Sequence, residues 1–118
     1  MSVADLDKVD MMGFTEGGKC LRMVISDHLD WEDEEVHLWI LQDKINAYLA
    51  LLQDRKWRRR NARKAKYVEI LVFFVHEMTE NAKKFLQVVQ DQLGQHGVKI
   101  TAAIADDAFR EEILRETE

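Results

Sequence analysis

The order of apolar and polar positions divides the chain into alternating strand-like and helix-like stretches. Val9 to Phe14 and Lys19 to Ser26 are short apolar-rich runs separated by Thr15-Glu16-Gly17-Gly18. Two adjacent glycines able to take positive φ predict a β-hairpin there. In the second run Leu21, Met23 and Ile25 alternate with Cys20, Arg22 and Val24, so one face is apolar and the other mixed. From Asp30 or Trp31 to about Gln53 the spacing turns helical, with Leu38, Leu41, Ile45, Tyr48, Leu49 and Leu52 in one stripe. Val36, Ile40, Ala47 and Leu51 fall on nearly the opposite side of the helical wheel. A helix with two apolar stripes is either sandwiched inside the molecule or in contact with a second subunit.

Tyr67 to Val75 is apolar at every position but Glu69, the signature of a central strand covered on both faces. Thr79 is placed to cap a helix whose core stripe is Ala82, Phe85, Leu86, Val89 and Leu93, with Gly97 as its terminating glycine. Val98, Ile100, Ala102 and Ile104 alternate with Lys99, Thr101 and Ala103 as a strand with one buried face. Asp106-Asp107 then opens a short C-terminal helix carrying Phe109, Ile113 and Leu114. The order β-β-α-β-α-β-α predicts an α+β (or α/β) fold built as one domain over residues 1–118. Right-handed crossovers make strands two, three and four parallel, with strand one as an antiparallel edge. The sheet is thus four-stranded and mixed, with its two main helices on one face. The C-terminal helix or a partner chain is left to cover the other.

Composition narrows the class without naming an activity. A chain of 118 residues is the size of one domain and buries roughly 65% of its unfolded surface. Apolar residues make up 47% and charged residues 33%, the balance of a folded globular protein rather than a disordered one. The single cysteine, Cys20, rules out an internal disulfide and a multi-cysteine zinc site. Met1 to Lys8 is polar and acidic with no apolar segment of a secretory signal, and no apolar run approaches the ~20 residues that span a bilayer. A cytoplasmic protein with no membrane association is the expectation.

The net charge of −5 hides two opposed blocks. Ser26 to Glu35 holds six carboxylates and no cation; Arg55 to Lys66 holds eight cations and no carboxylate. If strands two to four are parallel, their carboxyl ends share one edge, where open α/β sheets place ligands. Those ends read Asp27-His28-Leu29-Asp30, His76-Glu77 and Asp106-Asp107. Asp27, His28, Asp30 and His76 form a candidate divalent-metal set, imidazole favouring zinc, manganese or iron over magnesium. The competing reading is that the aspartates cap helices and the histidines are loop residues. His37 and His96 are expected on helix surfaces. No other cofactor is implied, and no nucleophile elbow, Walker loop or dinucleotide fingerprint is present.

The basic segment 55–66 is a second candidate. Arg58, Arg59, Arg60 and Arg63 suit a phosphate backbone, and Trp57 among them suits a base. A solvated connector is the alternative. Trp39 borders the second helical stripe, and aromatics at the rim of an apolar surface are common interface anchors. Val36, Trp39, Ile40, Ala47 and Leu51 therefore form a candidate interface.

Ile25-Ser26-Asp27-His28-Leu29-Asp30-Trp31, followed by His37-Leu38, Leu41-Gln42, Ile45-Asn46 and Tyr48-Leu49, resembles a family of short bacterial proteins of unknown function. Its members carry an I-S-D-H-L-x-W segment after a two-strand opening, then a helix of the E-x-x-H-L-x-x-L-Q-x-K-L-N-x-Y-L type. The likeness is specific over residues 9–53 and looser beyond. It implies an uncharacterised bacterial α+β domain and directs attention to Asp27, His28, Asp30 and Trp31. The arginine-rich connector departs from the shorter, glycine- and proline-containing one of that family. The leading functional expectation is a non-enzymatic interaction protein, a homodimer or an immunity- or adaptor-type binder of another protein. Metal-dependent activity at the sheet's carboxyl edge comes second, and nucleic-acid binding through the basic segment third.

Overall fold

A computed structural model of the protein describes residues 3–6 and 8–104. Its strands β1 (Met11–Thr15), β2 (Cys20–Asp27), β3 (Tyr67–Phe74) and β4 (Val98–Ile104) form one sheet in the order β1-β2-β3-β4. β1 and β2 are antiparallel across a turn in which Gly17 and Gly18 both take positive φ. β2, β3 and β4 are parallel, with Leu21 beside Val68 and Val68 beside Val98. The mixed sheet with an antiparallel edge is the one the alternation predicts. The expected C-terminal helix with Phe109, Ile113 and Leu114 lies outside the described residues.

Three helices join these strands: α1 (Glu34–Gln53), α2 (Arg55–Asn61) and α3 (Glu80–Leu93). Leu41, Ile45, Tyr48 and Leu52 of α1, with Leu86 of α3, pack on Leu21, Met23, Ile25, Val68, Ile70, Val72 and Phe74. Both long helices therefore cover one face, and period-two alternation directs every second strand residue to them. The opposite face has its own apolar cluster of Val24, Leu71 and Phe73, flanked by Met11 and Ala103. β3 is buried from Val68 to Phe74, Glu69 included. Glu69 is satisfied by Arg22 Nε at 2.6 Å and by the Thr101 hydroxyl at 2.7 Å.

Two boundaries differ from the sequence expectation. Helix α1 starts at Glu34, not at Asp30 or Trp31, with Asp33 as the cap accepting from Val36 N at 3.2 Å. Asp30 is held outside the helix because its carboxylate accepts from Glu32 N and its carbonyl from His37. The basic segment is not a simple connector. Asp54 takes an extended conformation that ends α1, and its carboxylate then accepts from Lys56 N and Trp57 N to start α2. Arginine is a good helix former, so a cap and one inward side are enough. That inward side is Trp57 and Ala62, which meet the core.

Candidate functional site

The carboxyl edge of the parallel strands holds a buried acid–imidazole pair, but not the one expected. β2 ends on Asp27, which is 1% exposed, and the imidazole that meets it is His37 from the first turn of α1, 2% exposed. His37 Nε2 lies 2.7 and 2.6 Å from the two carboxylate oxygens, and Nδ1 lies 2.8 Å from the Asp30 carbonyl oxygen. A carbonyl only accepts, so Nδ1 carries a proton and donates it. One further proton must sit between Nε2 and the carboxyl group, because two lone pairs at that separation repel. The pair is therefore neutral as a unit, either imidazolium with carboxylate or imidazole with carboxylic acid.

Trp31 seals this pair. Its ring stacks on His37 with centroids 3.7 Å apart and planes 21° from parallel, and Phe74 packs beside it at 5.9 Å. The second Asp27 interaction, accepting from Leu29 N at 3.1 Å, tightens the loop. Burial raises the Asp27 carboxyl above its ordinary value, against the lowering pull of the His37 hydrogen bond and charge. Both ring nitrogens are engaged and the carboxylate is covered. This arrangement fixes the path from β2 into α1 and presents no open lone pair to a substrate.

A second polar cluster lies deeper on the same helix. Lys44 is fully buried, its ammonium donating to Asp10 Oδ1 at 2.9 Å, to the Lys8 carbonyl at 2.6 Å and to the Asp5 carbonyl. Asp10 Oδ2 accepts from Ser26 N at 2.8 Å. The Tyr48 hydroxyl accepts from Asp10 N at 2.9 Å and donates to the Val24 carbonyl at 2.5 Å, and its burial pushes the phenol well above its usual range. Among the described side chains no buried nitrogen or oxygen lacks a partner. The cluster clamps the N-terminal segment onto the sheet edge, where Val3 N also donates to Ser26 O at 2.9 Å.

The residues singled out from the sequence separate in space. Asp27 and Asp30 meet, but through His37, which was expected on the surface. His28 and His76 are exposed. His76 is tied to the site only by its carbonyl, 3.5 Å from Trp31 Nε1. Among the described residues no three His, Cys, Asp or Glu side chains gather as a metal's ligands would, so Asp27, His28, Asp30 and His76 do not form one set. Asp27's oxygens are directed at His37 and Leu29 instead. Of the candidate interface residues, Trp39 is 61% exposed and Val36 43%. Ile40 and Leu51 lean on the core and Ala47 is half-buried. Of the basic residues, Arg58, Arg59 and Arg63 line one concavity with Arg55, and Arg60 is not among its walls. Trp57 packs toward the core rather than standing free to stack on a base. Cys20 is buried in β2, and burial raises its thiol above the ordinary range.

His37, Lys44 and Asp10 are buried polar residues that the apolar stripe did not reveal, whereas Tyr48 already belonged to it. The signal was their spacing: His37, Lys44 and Tyr48 share a face with Leu41, Ile45 and Leu52. A polar side chain on a core-facing position implies a buried partner.

Among the described residues no helix is long and apolar enough to cross a membrane. No curated protein and no solved structure matches the chain. A family model does match, over residues 1–106, and the chain belongs to that family, the family of unknown function DUF6572.

Proposed function

We propose that this protein is a non-enzymatic interaction module that associates through the outer side of α1 with a second copy of itself. The observation that carries the reading is Trp39, 61% exposed, one turn from Val36, 43% exposed. Burying the parts of these side chains that remain exposed is worth roughly 1 kcal/mol each, about half of burial from full exposure. The helix is also self-complementary along its length. Val36 and Leu51 lie equally far from the point between Asp43 and Lys44, and so do Ile40 and Ala47. Two antiparallel copies related by a two-fold axis would thus place Val36 over the second copy's Leu51 and Ile40 over its Ala47, an isologous contact.

A 20-residue helix offers a strip ~30 Å long and ~10 Å wide. That is small beside a standard interface of ~1,600 Å2, so the expected Kd is on the order of micromolar. Sedimentation velocity over a concentration series is the test. The native chain should shift from monomer to dimer, and the pair Val36→Glu and Trp39→Glu should remain monomeric with an unchanged circular dichroism spectrum. Ile40 and Leu51 are unsuitable probes because they also touch the core. A native chain that stays monomeric at the highest attainable concentration overturns the reading.

A further inference from the structure

Two cavities adjoin where the parallel strands begin, at the sheet edge opposite the Asp27–His37 pair. The first is an open surface concavity of about 350 Å3 lined by Arg55, Arg58, Arg59 and Arg63 with Ala62 and Ala65, and no carboxylate lines it. None of these four arginines makes a side-chain hydrogen bond or ion pair with a described residue. Arg55 and Arg59 are four positions apart on α2, a spacing at which like charges on a helix repel. An anion bound between them relieves that repulsion. Guanidinium groups grip oxyanions through paired N–H donors, and several together suit a multiply charged phosphate better than a single carboxylate.

The second cavity, also about 350 Å3, shares Arg58 with the first. Its walls are Leu49, Leu52, Leu93 and Val98, with Gln53 and His96 as polar groups and again no carboxylate. An apolar pocket with a few polar groups, sharing a wall with a cluster of cations, suits a ligand with an uncharged body and an anionic end. We propose that these two neighbouring concavities, which share Arg58 as a wall, together bind a small organic phosphate, its phosphates on the arginines and its apolar ring or chain against Leu49, Leu52, Leu93 and Val98. A nucleic-acid strand fits less well. The arginines form a compact group rather than a track, and Trp57, the aromatic a base would stack on, is half-buried against the core.

Titration calorimetry of the full chain at low salt, with adenosine triphosphate, pyrophosphate, adenosine and a short single-stranded oligonucleotide, separates the readings. Adenosine triphosphate should bind more tightly than pyrophosphate, and adenosine should not bind. Arg58→Ala should weaken adenosine triphosphate by about tenfold or more, as loss of a charge-assisted bond at a shared wall requires. Arg60→Ala, outside both cavities, should leave it unchanged. Leu93→Trp, which fills the apolar cavity, should weaken adenosine triphosphate while sparing pyrophosphate. Equal affinity for adenosine triphosphate and pyrophosphate would reduce the site to a bare anion patch and overturn the proposal. So would an oligonucleotide that binds best and depends on Arg60 as much as on Arg58, or the absence of binding by every probe.

Discussion

Replacing Lys44 with Met removes the only buried ammonium among the described residues while keeping a side chain of similar length. Three oxygens then lose their donor: Asp10 Oδ1 and the carbonyls of Asp5 and Lys8. Asp10, 8% exposed, keeps its bond from Ser26 N but holds a charge with no counter-ion. Breaking a buried ion pair from one side costs roughly 3–5 kcal/mol, chiefly because of the charge left behind. Against a total of about 5–15 kcal/mol for a domain, that is roughly a fifth of the stability or more. Asp10→Asn should cost a similar amount for the mirror reason.

The double variant Lys44→Met with Asp10→Asn removes both charges and retains an acceptor for Ser26 N. It should cost about 2 kcal/mol or more less than the sum of the singles, the coupling expected of contacting residues. Urea unfolding followed by tryptophan fluorescence reads all four proteins. Hydrogen exchange at the Val3 amide, which donates to Ser26 O, should speed up most in Lys44→Met, because the clamp on that segment is gone. A Lys44→Met protein within about 1 kcal/mol of the native chain, or additive singles, would refute the account of Lys44 as a paired, desolvated charge.

Three further outcomes follow from the same geometry. Asp27 holds its proton more tightly in the folded state than at its ordinary value of 3.8, because burial penalises the anion. That stabilisation is complete below the unfolded value and lost as pH rises through the folded one. Relative to Asp27→Asn, the native chain should therefore lose stability as pH climbs from about 4, read by urea midpoints at each pH; parallel curves would contradict it. Asp54→Ala removes the acceptor for Lys56 N and Trp57 N and should cost about 1 kcal/mol, with faster amide exchange confined to α2. Gly97 has φ of +75° with open space around it, so Gly97→Ala should cost roughly 1–2 kcal/mol through backbone strain alone. Gly94→Ala, right-handed and facing only the end of the Gln90 side chain, should change the thermal midpoint little.

The pattern of apolar residues determined the four strands, the two long helices and the parallel direction of β2, β3 and β4. Each of these rests on local periodicity and on the handedness of the crossover, both written in residues near one another along the chain. Leu21, Met23 and Ile25 on β2 and Leu41, Ile45 and Leu52 on α1 could be assigned to the core before their contact was known. The partners of polar groups were decided only by tertiary structure. Asp27 neighbours His28 in sequence, yet it binds His37, because β2 and the first turn of α1 converge and Asp30 and Trp31 hold the imidazole in place. Lys44 meets Asp10 across a span that nothing in spacing predicts. Hydrophobic burial is non-directional and can be summed over a pattern. A hydrogen bond between distant side chains exists only once the fold has set their distance and angle.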